Sequence, residues 1–258
     1  MRVYILIFKS RLFTPAVIEH VAVSGDFEVV GVGGVAASRA GSFRKWLSSQ
    51  TGYWGVWGSF WIIAATLIRA LPEKLRFPRP FRRLSSLRSV CGALEIPYAD
   101  VADVNSVGFL ETLVALDIDV VVCFQQQLFR KELLEIPKLG CLNVHTGILP
   151  GYRGMKPVFW MHSRREPELG VSIHAMSASL DVGPVIVQRR WRRRPNSSVL
   201  ENQFWSYRCA AQCIVEAIEK LPTLATDSLP NVSAESPYFK APTKSERDSA
   251  VRAGTRLV

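Results

Sequence analysis

The sequence is poor in the residues that build metal centres and cross-links. It has four histidines and five cysteines, and Cys91, Cys123, Cys141, Cys209 and Cys213 form neither a C-x-x-C pair nor an even-numbered framework. This argues against a disulfide scaffold or a zinc ribbon. No H-E-x-x-H or comparable cluster occurs, so no metal is expected. Cys209 and Cys213, one helical turn apart with no histidine nearby in sequence, read as small core hydrophobes. A glycine-rich phosphate loop is missing too: KSRLFTP follows the first apolar run, and GVGGV, Gly31 to Val35, lacks the full dinucleotide fingerprint. Nothing at the N-terminus reads as a secretory signal, so the expected compartment is the reducing cytoplasm. Acidic residues are outnumbered 22 to 32, giving a net charge of +10. That surplus favours an acidic partner such as nucleic acid, a phosphorylated substrate or an anionic membrane surface.

What is present points to a globular α/β chain. A hydrophobic content of 48% over 258 residues is ample for a core. RVYILIF, a helical pattern from Thr14 to Val23, and FEVVGVGGV read as β-α-β. DIDVVVCF and CLNVH are further strands, separated by the helical RKELLEI and preceded by the helical VGFLETLVAL. Strands alternating with helices predict a mostly parallel sheet covered on both faces. Downstream, KPVFWMHSR reads as a helix, LGVSIHAM and GPVIVQRRW as an antiparallel edge pair, and Ser197 to Leu221 as a long helix. The expected organisation is one domain over 1–221 with an insertion at 50–90, then an irregular tail, 222–258, packed on it.

The insertion is longer than a compact βαβ connection requires. Its apolar part, Tyr53 to Leu71, is broken by glycines, a serine and Arg69, which argues against a bilayer-spanning helix of about 20 residues. Two readings stay open. One is an interfacial segment through 53–88, with Trp54, Trp57 and Trp61 at headgroup level and Lys74, Arg76, Arg79, Arg82, Arg83 and Arg88 meeting anionic lipid. The other is a block packed on the domain or at a homodimer interface, its arginines solvated. RRWRRR, Arg189 to Arg194, reads as an exposed strand end, with phosphate binding as the alternative.

Chemistry concentrates in CLNVHTGILPGYRG, Cys141 to Gly154. Side chains at i and i+2 of a strand share a face, so Asn143 and His145 project together, at a strand end where α/β sheets place their ligands. An amide donor beside a histidine suits a carbonyl oxygen that gains negative charge. Asp181, in the turn SLDVGP, is the candidate carboxylate that would raise the histidine pKa and relay protons. Alone, an Asn-x-His pair at a strand end carries little weight.

Its company decides. LEIPKLGCLNVHTGILPGYRGMKPVFWMH followed by LGVSIHAMSASLDVGPVIVQ resembles the catalytic core of the formyltetrahydrofolate-dependent formyltransferases. That group includes glycinamide ribonucleotide formyltransferase, methionyl-tRNA formyltransferase and the sugar N-formyltransferases. The resemblance runs from Asp117 to Gln188 and implies a Rossmann-like formyltransferase fold, with Asn143, His145 and Asp181 as the catalytic residues. CFQQQLF stands where the family's backbone holds the pterin, which implies Phe124, Gln125, Gln126, Gln127, Leu128 and Gly183 as contacts to the cosubstrate 10-formyltetrahydrofolate. Gly151, Arg153 and Gly154 would shape the loop over the substrate, Arg153 alternatively serving as a loop anchor. His162 and His174 are expected to be structural. The implied mechanism has a substrate amine attacking the formyl carbon while Asn143 and protonated His145 stabilise the oxyanion.

The acceptor is narrowed by departures from the family. Without a phosphate loop, glycinamide ribonucleotide is not the expected substrate. Methionyl-tRNA formyltransferases carry a further C-terminal domain, so tRNA is the second expectation, kept by the positive charge. The ending SPYFKAPTKSERDSAVRAGTRLV resembles that of short formyltransferases acting on amino sugars or amine metabolites, so a small amine is the first expectation. A 10-formyltetrahydrofolate hydrolase and a non-catalytic basic binding module are rivals from other classes.

Overall fold

The computed structural model describes residues 1–36, 43–70, 86–125, 127–177, 179–224 and 229–258; within the long second helix, side chains are described at 51 and 53–68. In chain order the elements are β1 (Arg2–Phe8), α1 (Thr14–Ser24), β2 (Glu28–Val35), α2 (Phe43–Ala70), α3 (Leu87–Ala93), β3 (Tyr98–Val101), α4 (Val107–Ala115), β4 (Val120–Phe124), α5 (Lys131–Leu134) and β5 (Cys141–His145). They continue with β6 (Arg153–Gly154), α6 (Pro157–Ser163), β7 (Glu168–Ala175), β8 (Val185–Arg192), α7 (Val199–Lys220), β9 (Tyr238–Phe239) and α8 (Lys244–Arg252). Seven strands form one sheet in the order β3-β2-β1-β4-β5-β7-β8. The first five are parallel, and β7 and β8 run antiparallel. This is the mostly parallel sheet with an antiparallel edge expected from the sequence.

β1 is apolar on both faces because both faces are covered. Val3, Ile5 and Ile7 pack with Val17, Ile18 and Val21 of α1 and with Cys209, Cys213, Ile214 and Ile218 of α7. Tyr4 and Leu6, pointing the other way, pack with Leu113 of α4 and Leu133 of α5. Burying Ile214 and Ile218 stabilises by about 3–6 kcal/mol before entropic costs. α7 starts with a capping box between Ser198 and Glu201, which satisfies amides that would otherwise be unpaired. Gly31, Gly33 and Gly34 lie inside β2, in register with Tyr4, Leu6 and Ile7, and form no loop.

The C-terminal stretch differs from the expected irregular tail. Thr243 and Glu246 form a capping box that starts α8, and β9 pairs in parallel with β6. Val199 and Leu200 donate backbone hydrogen bonds to Arg256 and Leu257, and Arg247 donates to the Thr51 carbonyl of α2. A third apolar cluster, Tyr53, Trp54, Val158, Phe159, Val199 and Ala250, joins α2, α6, α7 and α8. Of the basic residues singled out in the insertion, Lys74, Arg76, Arg79, Arg82 and Arg83 lie outside the described residues, whereas Arg88 pairs with Asp100 at 3.1 Å.

Candidate active site

β5 carries Asn143 and His145 to the carboxyl end of the sheet. The antiparallel register of β7 sets His174 opposite Asn143 and Ser172 opposite His145. Ser172 also fixes the loop that follows β5, donating to the Gly147 carbonyl (2.7 Å) and accepting from the Leu149 amide (3.2 Å). Asp181 arrives from the turn between β7 and β8, in a left-handed conformation at φ 51°. Such a backbone is costly for a residue with a side chain. What holds it is its carboxylate: Oδ2 accepts from the Gly154 amide at 2.8 Å and Oδ1 from Asn143 Nδ2 at 3.3 Å.

The tautomers follow from the partners. His145 Nε2 lies 2.6 Å from the Tyr152 carbonyl, so this nitrogen carries the proton and donates. Its Nδ1 lone pair then faces Asp181 Oδ2 at 3.8 Å. His174 Nδ1 donates to the Ala175 carbonyl at 2.9 Å, leaving Nε2 to accept from Asn143 Nδ2 at 3.0 Å. Both amide hydrogens of Asn143 are therefore engaged, one by His174 and the longer one by Asp181.

Burial decides the protonation of His145. It is 5% exposed, and desolvation lowers its pKa below the usual 6.5 despite the opposing pull of Asp181 and the Tyr152 carbonyl. The expectation of a protonated His145 with a raised pKa is thus corrected: the neutral imidazole is the resting form. Asp181 is the converse. Desolvation pushes its carboxyl up, but His174, His145 and the Gly154 amide together outweigh it and hold the group at about 2.

Asn143, His145 and Asp181 are thus brought together as the sequence suggested. His174, expected to be structural, touches both Asn143 and Asp181. Its position a few residues before the Asp181 turn was the available signal, while the register that delivers it to Asn143 is tertiary. His162 is buried in α6, where desolvation lowers its pKa.

The remaining loop residues divide by partner. Arg153 is 6% exposed and donates to the carbonyls of Ser233, Ala234 and Ser236 in the tail and of Leu180 beside Asp181. It anchors the loop. Gly154, at φ 97°, runs so close to β9 that a Cβ would sit 2.2 Å from the Phe239 carbonyl. Gly151 is exposed, and a Cβ there would meet only the Ile148 carbonyl, at 3.7 Å. Lys156, which caps α6, holds its ammonium 4.7 Å from the centre of the Tyr53 ring, and desolvation lowers its pKa.

In the segment after β4, Phe124 is buried against Tyr207, with ring centres 5.0 Å apart. Gln125 hydrogen-bonds the Gln127 main chain through both ends of its amide. Gln127 in turn donates to the Ala102 carbonyl and accepts from the Val104 amide. Leu128 is exposed, and Gln126 lies outside the described residues. The glutamines at 125 and 127 thus shape the loop rather than project from it.

Residues 104–203 match the family model described as formyl transferase. This segment is similar to that family. It contains the whole Asn143, His145 and Asp181 constellation and the segment after β4. The chain is 32% identical over 137 residues to the methionyl-tRNA formyltransferase of Thermosynechococcus vestitus, covering 53% of this chain and 40% of that one. It thus spans less than half the length of that relative. Among solved structures, the phosphoribosylglycinamide formyltransferase of Anaplasma phagocytophilum superposes with a TM-score of 0.60 at 12% identity, over 93% of this chain and 98% of that one. An N-formyltransferase from Helicobacter canadensis, in complex with folinic acid and dTDP-3-aminofucose, gives 0.55 at 15% identity, over 93% and 71%. These likenesses establish the formyltransferase fold.

Proposed function

We propose that the protein transfers a formyl group from 10-formyltetrahydrofolate to the amine of a small substrate such as an amino sugar or amine metabolite. The observation that carries the proposal is the pair of acceptors His145 Nδ1 and Asp181 Oδ2, 3.8 Å apart. Two acceptors at that separation can share one amine nitrogen, each taking an N–H. His145, neutral at rest, takes the amine proton as the nitrogen attacks and passes it to N10 of the folate as the bond from the formyl carbon to N10 breaks and tetrahydrofolate leaves. Asn143 turns its amide from Asp181 to the formyl oxygen, giving up the longer of its two bonds; a donor so placed lowers the barrier by about 3 kcal/mol. Asp181 holds the charge that His145 gains, and His174 is a positioning residue that keeps the Asn143 amide in plane.

The site fits the cosubstrate: the Asn143 amide can donate to the formyl oxygen, while neutral His145, its Nε2 proton held by the Tyr152 carbonyl, faces the site as an acceptor. 10-Formyltetrahydrofolate would supply the formyl carbon. Residues 124–128 and Gly183 would hold its pterin through main-chain groups, because the side chains of Gln125 and Gln127 are committed within the loop. The small-amine acceptor is supported by the likeness to the Helicobacter canadensis enzyme and by the C-terminal sequence. The tRNA reading is favoured by the sequence relative and by the charge of +10. The proposed location is cytoplasmic, with peripheral contact to the inner face of the membrane through 53–88; a homodimer is the competing use of that block.

The experiment is the absorbance change of 10-formyltetrahydrofolate with the protein and a panel of amino sugars, amine metabolites and tRNA, run beside Asp181→Asn. Amine-dependent loss of formyl that disappears in the variant supports the proposal and names the acceptor class. Loss with tRNA alone selects the second reading, amine-independent loss indicates a hydrolase, and no loss and no folate binding overturns the proposal.

A further inference from the structure

Beyond its kink, α2 is built inside out. Gly55, at φ 73° and ψ 177°, breaks the helical course. Before it, Tyr53 and Trp54 are buried against α6 and α7. After it the small residues face the protein: Ser59 is 2% exposed, and a Cβ on Gly58 would lie 3.2 Å from Trp54 and 3.4 Å from Val258. The large apolar residues face outward, with Trp57 78%, Phe60 58%, Trp61 62%, Leu67 63% and Ile68 55% exposed. At helical spacing these five share one face, opposite Ser59. An apolar face of this kind is a site of association rather than a chance of composition.

We infer that this outward face of α2 docks the protein on an anionic lipid surface, which deepens the peripheral placement proposed above by naming the contact. The stretch from Val56 to Ala70 contains no acidic residue, and the sequence that follows, 71–85, has five basic residues against one acidic. Tryptophan beside basic residues is the chemistry of an interfacial helix on anionic headgroups. The half-helix beyond Gly55 is about 22 Å long, short of a hydrocarbon core of about 30 Å. No helix among the described residues is long and apolar enough to cross a membrane, so the helix lies on the surface. The apolar surface continues onto the C-terminal segment through Val251 and Val258, which with Trp57 line a cleft of about 480 Å³. A second copy of the chain is the poorer occupant, because each copy carries a net charge of +10 and like charge opposes association.

The test is co-sedimentation with phosphatidylcholine vesicles with and without phosphatidylserine, followed by tryptophan emission, for the full chain and for Trp57→Ser/Trp61→Ser. Both tryptophans are exposed, so the variant should fold, and circular dichroism verifies this. The expected result is blue-shifted emission and at least about tenfold stronger partition onto the phosphatidylserine vesicles, reduced about tenfold or more in the variant and weakened by salt. Absence of binding to either vesicle overturns the inference. So does binding that the variant retains in full, or a dimer in solution that the variant dissociates. None of these readouts uses folate or an amine, so a failure here is distinct from a failure of the proposed reaction.

Discussion

The amide of Asn143 lies 3.0 Å from Nε2 of His174 across the β5–β7 ladder, in a register that brings both side chains to Asp181 Oδ1. The amide's orientation toward a reacting oxygen therefore depends on the histidine as acceptor. His174→Ala should lower kcat by about tenfold to a hundredfold with the KM for the formyl donor unchanged. His174→Gln, whose side-chain carbonyl can accept from Asn143, should recover part of the loss. A His174 that merely fills space would show the opposite pattern, a lower Tm with kcat intact.

The protonation of His145 has a pH signature. Its folded pKa lies below the ordinary 6.5 because of burial, so between the two values the unfolded chain binds more protons than the folded one. Stability then rises with pH across that window, is complete above 6.5, and is lost as pH falls through the folded value. Asp181 adds in the same direction at lower pH. Held at about 2 against 3.8, it contributes on the order of 2 kcal/mol above its unfolded pKa, lost as pH falls toward 2. The acid limb of kcat/KM should lie below pH 6.5, and His145→Asn should remove the first part of the fall in Tm on acidification. An acid limb above 6.5 would contradict the neutral imidazole.

Arg153 ties three segments together, so its loss should read as instability. Arg153→Ala leaves the carbonyls of Ser233, Ala234, Ser236 and Leu180 without their donor and should cost about 2–4 kcal/mol. Arg153→Lys should recover little, because a single ammonium cannot reproduce the guanidinium fork. Thermal unfolding and limited proteolysis of the tail report this directly. An unchanged Tm with a raised acceptor KM would instead make Arg153 a substrate contact.

How much was legible depended on whether a feature is local. Strand alternation put Asn143 and His145 on one face, and apolar strands alternating with helices predicted a mostly parallel sheet covered on both faces. The turn residues of SLDVGP marked Asp181. The contacts of His174 with Asn143 and Asp181 were not legible, because they lie in a cross-strand register. The grip of Arg153 on the tail joins residues some 80 apart in sequence, a distance that no local pattern encodes. α8 is a different case: its capping box, Thr243 with Glu246, was readable but lay hidden in a polar, proline-flanked stretch. In α2 the outward Trp57 and Trp61 agree with one of the two readings of the insertion, but Trp54, grouped with them there, is buried, since which side of a helix is covered is set by its neighbours.

Gly183 and Gly151 make a paired test of whether the Asp181 turn is set by packing. A Cβ on Gly183 would lie 1.7 Å from the Ala175 carbonyl, whereas one on Gly151 would find ordinary contact at 3.7 Å. The first clash is with backbone and cannot be relieved by a side-chain rotation, so Gly183→Ala must push β7 and β8 apart where the turn presents Asp181. It should destabilise by about 3 kcal/mol or more and abolish turnover, while Gly151→Ala should stay within about 0.5 kcal/mol of the parent. Thermal unfolding separates the two. If Gly183 serves only as a contact to the pterin, its alanine variant should instead keep the parent Tm and raise only the KM for the formyl donor.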